Sequence, residues 1–166
     1  MSAAARPCEE RILHLPTPEA ASAFAAALAE RLQPGDTVLL EGPIGAGKTH
    51  LARAIIARLL EKAGLEEDIP SPTYTLVQTY ETAEAEIWHA DLYRLGDESQ
   101  VAELGLSDAF DTAICLVEWP DRLGSLRPAE ALTISLAVPA RGEGRQARLA
   151  VAAGERAARL LGPADG

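Results

Sequence analysis

A glycine-rich stretch with a single lysine occupies residues 42–49 of this 166-residue chain and reads Gly-Pro-Ile-Gly-Ala-Gly-Lys-Thr. It matches the pattern G-x-x-x-x-G-K-[ST] at every fixed position. Residues 37–40 form a β-branched and apolar run typical of a buried strand, and Leu51, Ile55 and Leu59 then recur every four residues, as in an amphipathic helix. A glycine loop between a strand and a helix directs backbone N–H groups and the helix N-terminus at phosphates. The sequence therefore predicts a P-loop that binds a nucleoside triphosphate.

Residues of the predicted P-loop have separate expected roles. Lys48 should reach the β- and γ-phosphates, and the Thr49 hydroxyl should ligate Mg²⁺. The alternative is a glycine-rich turn with one exposed lysine. In that case the match to the motif, and the strand and helix that flank it, would be accidental. We expect the nucleotide to contact Gly42, Pro43, Ile44, Gly45, Ala46, Gly47, Lys48, Thr49 and His50.

Length and composition indicate one globular P-loop domain over residues 1–166, with loose termini at residues 1–8 and 162–166. Hydrophobic residues make up 48% of the chain and charged residues 24%, as in ordinary soluble proteins. No apolar run approaches the ~20 residues of a membrane span, and no signal peptide begins the chain. We therefore expect a cytoplasmic protein without membrane contact.

The net charge of −10 argues against direct, non-specific binding of nucleic acid, because phosphate contacts require clustered lysine and arginine. Any link to nucleic acid is expected to run through a partner. The two cysteines, Cys8 and Cys115, are too few for a disulfide scaffold.

Outside the P-loop, the sequence predicts further helices and strands. Thr17, Pro18 and Glu19 are typical of a helix start, and this helix should run to about Leu32. We expect strands at residues 11–15, 74–80, 86–93, 112–118, 132–138 and 146–151, a short helix from Asp97 to near Gly105, and a last helix at residues 155–161.

Two acidic residues at strand ends are candidates for metal binding and catalysis. Glu118 follows apolar residues 114–117, where a P-loop protein holds Mg²⁺ or its water shell; the alternative is an exposed glutamate at a strand end. Asp91 shares a predicted strand face with His89. It would orient the attacking water or bind Mg²⁺ through water, or else pair with Arg94 at the surface. His89 alone is more typical of a structural histidine than of a catalyst.

Two further segments have both a functional and a structural interpretation. Trp119 would pack beside the nucleotide or simply cover the end of the sheet. Residues 71–73, Ser-Pro-Thr, lie where a phosphate-sensing loop would follow the P-loop helix, and Thr73 would then follow the γ-phosphate. A Ser-Pro turn before a strand would look the same.

Four stretches in a fixed order also carry a family resemblance. They are residues 42–49, Ser-Pro-Thr-Tyr-Thr-Leu-Val at 71–77, His-Ala-Asp-Leu-Tyr-Arg at 89–94 and Ile-Cys-Leu-Val-Glu-Trp-Pro at 114–120. With them the chain resembles the bacterial TsaE (YjeE) family, the small P-loop ATPase of tRNA threonylcarbamoyladenosine synthesis. We accordingly expect an α/β, three-layer P-loop NTPase-like fold, with a mixed, mainly parallel central sheet flanked by helices.

The resemblance implies an ATPase of low intrinsic turnover that uses ATP and Mg²⁺ and binds the TsaB–TsaD pair. That pair forms the threonylcarbamoyl group on adenosine 37 of tRNAs reading codons that start with A, so contact with tRNA would be indirect. In such proteins the residues matching Thr49 and Glu118 hold Mg²⁺. The residue matching Asp91 lies near the γ-phosphate and supports hydrolysis, so Asp91, Glu118 and Lys48 are the expected catalytic residues.

The resemblance also implies nucleotide contacts outside the P-loop. The residue matching Trp119 lies near the nucleotide, Thr17 is a candidate for the base side, and Arg122 and Arg145 are further candidates. His50 departs from the family pattern, in which a second threonine or similar small residue is common. The phosphate ligands are intact, so binding is still expected.

Other function classes remain open from the residues alone. A small-molecule P-loop kinase would need a lid, for which Arg141 and Arg145 are the only candidates. A nucleotide-gated binding module with incidental hydrolysis would have the same motif. A GTPase is disfavoured, because the chain contains no asparagine and so lacks the Asn-Lys-x-Asp motif that reads guanine.

Overall fold

The computed structural model describes residues 7–72, 75–141 and 143–162, which form a seven-stranded sheet with helices on both faces. The strands are β1 (Cys8–Leu15), β2 (Thr37–Glu41), β3 (Val77–Glu81), β4 (Glu86–Asp91), β5 (Ile114–Glu118), β6 (Leu132–Ala137) and β7 (Arg145–Ala152). The helices are α1 (Pro18–Ala29), α2 (Lys48–Lys62), α3 (Glu98–Ala102), α4 (Leu106–Thr112) and α5 (Glu155–Leu161), and 3₁₀ turns occupy Pro120–Leu126.

Strand order across the sheet is β1-β7-β6-β2-β5-β4-β3. The four central strands, β6, β2, β5 and β4, are parallel, β7 and β3 are antiparallel to them, and β1 runs antiparallel to β7. Helices α1, α2 and α5 cover one face, whereas α3, α4 and the 3₁₀ turns cover part of the other. The expected three-layer α/β fold with a mixed, mainly parallel sheet is confirmed.

Local sequence explains the elements that position the P-loop. The Thr17 hydroxyl accepts a hydrogen bond from the Ala20 N–H (3.0 Å), so it caps α1 as predicted. Val38, Leu39 and Leu40 of β2 are fully buried, which fits a central parallel strand covered on both faces. Helix α2 then packs its apolar stripe beneath the sheet.

Several predicted boundaries are wrong by a few residues. Helix α1 ends at Ala29 rather than Leu32, and Cys8 lies in β1 rather than in a loose terminus. Strand β3 begins only at Val77, because Leu76 adopts a left-handed conformation (φ 68°). Strand β4 ends at Asp91, whose carboxylate accepts the Tyr93 N–H (3.0 Å) and turns the chain.

After β4, one helix was not predicted and one predicted strand begins a residue earlier than expected. Helix α3 ends at Ala102, close to the predicted end near Gly105, and α4, which starts behind left-handed Gly105 (φ 83°), was not predicted. Arg145, expected in a loop, begins β7. Within the residues that the structure describes, no helix is long and apolar enough to cross a membrane.

Candidate functional site

The predicted P-loop lies at the carboxyl ends of the central parallel strands, where β2 leads into α2. Gly47 precedes the helix in a left-handed conformation (φ 105°), which side chains disfavour. A Cβ on Gly42 would lie 2.6 Å from the Leu136 carbonyl oxygen, so only glycine allows the loop to pass β6. The strand, loop and helix therefore have the arrangement that a nucleotide-binding P-loop requires.

Lys48 is buried within its own loop. Its Nζ donates to the carbonyl oxygens of Gly42 (2.6 Å) and Pro43 (2.9 Å) and lies 4.2 Å from the ring centroid of Trp119. Burial lowers the pKa of Lys48, against the opposing pull of the Glu118 and Asp91 carboxylates. The ammonium is thus held between the P-loop backbone and the indole ring.

The two predicted acids are neighbours across the sheet, because Asp91 of β4 is paired in register with Glu118 of β5. Both are buried. The Thr49 hydroxyl donates to Glu118 Oε1 (2.6 Å), while the other oxygen, Oε2, lies 2.7 Å from His89 Nε2. Burial raises the pKa of Asp91, as does the nearby Glu118 carboxylate. Glu118 is therefore not the exposed strand-end glutamate that the alternative required, and Asp91 is not a surface residue.

Oxygen donors at this site suit a hard divalent cation. The Thr49 hydroxyl and the Glu118 carboxylate are adjacent, and Mg²⁺ in nucleotide sites takes one or two such protein ligands together with phosphate oxygens and water. Among the described residues no cluster of three or more His, Cys, Asp or Glu side chains forms a complete metal cage. The donor set accordingly fits Mg²⁺ that arrives with a nucleotide.

Trp119 is strained at the mouth of the site. It has left-handed backbone angles (φ 59°, ψ 54°), which are costly for a bulky side chain and are found mainly where the surroundings enforce them. The ring packs against Tyr93 at a centroid distance of 4.9 Å. The left-handed backbone of Trp119 turns the chain at the end of β5. The indole ring then lies over the Lys48 ammonium.

Two cavities flank the P-loop. One, of about 270 Å³, is lined by Lys48, Thr49, Asp91, Glu118 and Trp119 together with Ile44, Gly45, Gly47 and His50. The other, of about 470 Å³, lies between α1, the P-loop and the start of β7, and its lining includes Thr17, Ala46, Leu136 and Arg145. Gly47 and His50 line both. The smaller cavity has the charges for phosphates, and the larger one is more apolar.

The remaining predicted contacts differ in how close they lie to these cavities. Arg145 donates to two P-loop carbonyls, Ala46 O from Nε (3.1 Å) and Gly45 O from Nη2 (3.2 Å). Arg122 lines neither cavity, and its Nη2 donates to the Tyr93 carbonyl (3.4 Å). Thr73 lies outside the described residues.

The bond between His89 and Glu118 was not predicted. The alternation along β4 placed His89 and Asp91 on one face, but that face was not connected with the neighbouring strand. The parallel register of β4 and β5, which brings Glu118 beside this face, supplies the connection.

Comparisons with known proteins identify the family. Residues 15–147 match the family model of TsaE, described as threonylcarbamoyl adenosine biosynthesis protein TsaE. The chain is 40% identical to the tRNA threonylcarbamoyladenosine biosynthesis protein TsaE of Rickettsia bellii over 113 residues, which cover 68% of this chain and 76% of that one. The Bacillus subtilis protein of that name is 36% identical over 118 residues, covering 70% and 71%.

A solved structure gives the same result for the fold. The crystal structure of Bacillus subtilis YdiB superposes with a TM-score of 0.74 at 25% sequence identity and covers 95% of both chains. The P-loop, the paired acids and these matches lead to one conclusion: the chain belongs to the TsaE family of threonylcarbamoyladenosine biosynthesis proteins.

Proposed function

We propose that this protein is a Mg²⁺-dependent ATPase that binds the TsaB–TsaD pair and supports formation of the threonylcarbamoyl group on adenosine 37 of tRNAs reading codons that start with A. The observation that carries the proposal is the convergence of Lys48, Thr49, Asp91 and Glu118 on one cavity at the carboxyl ends of the parallel strands. A binding site for triphosphate and metal needs these groups together.

Different chemical tasks fall to the two acids. Glu118 is already fixed by Thr49 and His89, so it suits the role of metal ligand together with Thr49. Asp91 accepts one described hydrogen bond, from the Tyr93 N–H, and burial raises its pKa, so it suits the role of proton acceptor. Asp91 then orients the attacking water. Bound Mg²⁺ supplies charge neutralisation at the phosphates.

Lys48 changes partners when nucleotide binds. Its ammonium leaves the carbonyls of Gly42 and Pro43 and turns to the β- and γ-phosphates. There it stabilises the charge that develops in the transition state. The larger cavity, with Thr17 and Arg145 at its walls, receives the nucleoside. ATP is preferred to GTP because the guanine-reading motif is absent from the sequence.

A partner would be able to sense the nucleotide through the rim of the cleft. Ile44 on the P-loop is 74% exposed and Tyr93 beside Trp119 is 48% exposed, so apolar surface borders the phosphate position. Docking of the TsaB–TsaD pair on this rim would couple hydrolysis to the partner's cycle. The net charge of −10 favours tRNA contact through the pair and not directly.

ATP turnover with and without the TsaB–TsaD pair tests the proposal. We expect slow phosphate release by the wild type, a clear rise with the pair, and a marked loss in Glu118→Gln, which replaces a charged metal ligand by a neutral amide. Glu41→Gln is the matched control, since Glu41 also ends a buried strand but its carboxylate bonds Arg127 and Ser135. Its turnover should equal that of the wild type.

Three outcomes would contradict the proposal in different ways. If the TsaB–TsaD pair leaves turnover unchanged, the proposed partner is wrong. If Glu118→Gln keeps full turnover, the proposed catalytic site is wrong. Phosphate transfer only in the presence of an added small acceptor would indicate a kinase. The bonds from Arg145 to the P-loop backbone disfavour a kinase, because they occupy one of the two arginines expected for a lid.

A further inference from the structure

His89 is a buried polar side chain to which the proposed hydrolysis assigns no task. It lies within β4, is fully inaccessible to solvent, and faces Glu118 of β5 with a distance of 2.7 Å between Nε2 and Oε2. Its other ring nitrogen, Nδ1, is buried and has no hydrogen-bond partner among the described residues. The carboxylate is therefore the polar group that this imidazole serves.

A buried histidine that only filled space would be a poor choice of side chain. Taking an imidazole out of water is unfavourable unless its nitrogens are bonded, and an apolar residue of similar size avoids that loss. The bond to Glu118 requires hydrogen on Nε2, because a carboxylate oxygen only accepts. The ring thus presents a donor to one oxygen of Glu118 and to none of the cavity-lining groups on the P-loop.

The two oxygens of Glu118 are consequently held in opposite directions. Oε2 is bonded to His89, and Oε1 faces the Thr49 hydroxyl (2.6 Å). Rotation of the carboxylate about its last bond would break both contacts. Asp91, two residues further along the same strand face, has the Tyr93 N–H as its described partner instead.

We propose that His89 is a positioning residue that orients the Glu118 carboxylate so that Oε1 and the Thr49 hydroxyl together face the metal of the bound nucleotide. This inference rests on the Mg²⁺ site of the proposed function. Partners behind a metal ligand commonly change metal affinity by 10–100-fold when removed, because they fix the ligand's direction. His89 bonds Glu118 and not Asp91. Glu118 is thereby fixed as the metal ligand, and Asp91 stays available to orient the attacking water.

Metal affinity, measured apart from turnover, tests the role of His89. Mn²⁺ binding to the ADP complex is followed by electron paramagnetic resonance, and ADP binding in EDTA by calorimetry. The variants are His89→Leu, which removes the donor, His89→Gln, whose amide nitrogen reaches the position of Nε2, and His89→Asn, whose amide nitrogen reaches only that of Nδ1. His89→Leu in a Glu118→Gln background completes a double-mutant cycle.

We expect His89→Leu to weaken Mn²⁺ binding 10–100-fold while ADP binding in EDTA is retained. His89→Gln should recover most of the affinity and His89→Asn should not. In the Glu118→Gln background the leucine variant should cause no further loss, because His89 acts through Glu118. If His89→Leu does not fold, the difference between glutamine and asparagine still decides.

Equal Mn²⁺ affinity in His89→Leu and wild type would overturn the inference, as would equal affinities for the glutamine and asparagine variants or additive losses in the cycle. Failure of the proposed function has a separate signature: a wild-type ADP complex that does not bind Mn²⁺. That result would overturn the metal site and, with it, this role of His89.

Discussion

Buried carboxylates lie at both ends of β2, but the chain neutralises them differently. Asp36, just before the strand, accepts hydrogen bonds from the Gln33 N–H (2.7 Å) and from both terminal nitrogens of Arg159 (2.6 and 3.0 Å), and Arg156 adds an ion pair (3.3 Å). At the opposite end, Asp91 and Glu118 lie side by side.

Charge compensation at that opposite end is incomplete. The nearby cation, Lys48, bonds to the loop carbonyls of Gly42 and Pro43 instead of either acid. Arg145 likewise donates to P-loop carbonyls. A buried charge whose nearby counter-charge is bonded to other groups is unfavourable, so it is tolerated where a ligand completes it. The comparison separates a carboxylate that stabilises the fold from a pair that serves a ligand.

Asp36→Asn should cause the largest loss of stability. The variant leaves Arg159 beside a neutral amide in a partly buried position, and breaking such a pair costs about 3 kcal/mol. Urea unfolding measures the change, and ADP affinity of the folded variant should stay the same. A stability equal to that of the wild type would show that the contacts of Asp36 with Arg156 and Arg159 do not stabilise the fold.

Arg145→Ala should weaken nucleotide binding without unfolding the protein. Loss of the charged donor leaves the Gly45 and Ala46 carbonyls unsupported, and a hydrogen bond from a charged group contributes about 2 kcal/mol, or roughly 30-fold in affinity. Arg148→Ala is the matched control, because Arg148 lies on the same strand and pairs with exposed Glu10. ADP affinity is measured by calorimetry. Equal affinities in the two variants would show that Arg145 does not support the P-loop.

Asp91→Asn should make the nucleotide-free protein more stable while it abolishes hydrolysis. The substitution removes a buried charge that lies beside Glu118, and the amide oxygen can still accept the Tyr93 N–H. We expect a rise in Tm of about 2–4 °C, which corresponds to about 1 kcal/mol for a chain of this size. A lower Tm, measured by calorimetric scan, would show that Asp91 is compensated after all.

The buried Asp91 carboxylate should also have a smaller effect on how the free energy of unfolding depends on pH. Because burial raises the pKa of Asp91, the folded state retains a proton that the unfolded state has already lost. Stability therefore falls as pH rises through the interval between the two pKa values. The difference between wild type and Asp91→Asn, followed by urea unfolding from about pH 4 to 7, isolates this contribution. A difference that is flat with pH would exclude it.

Patterns that are local in the sequence predicted their structures well. The P-loop, the cap at Thr17 and the last helix follow from neighbouring residues, and Asp91 and Glu118 were each predicted as strand-end acids, although their pairing was not. Contacts that depend on distant segments were not predictable: the bond of Arg145 to the P-loop and that of His89 to Glu118 each require the strand order. The left-handed backbone of Leu76, which delays β3, likewise has no signature in its residue type.

The pairing of β1 with β7 has a consequence for synthesis on the ribosome. Among the strands that the structure describes, β1 emerges first and its partner β7 last, so the pair forms only after the others have left the exit tunnel. Such long-range pairing slows folding. Meanwhile the waiting strand carries Glu9, Glu10 and Arg11, and charges on an unpaired edge oppose association with other nascent chains. The charged residues of β1 thus protect it from association with other chains during the delay before it pairs with β7.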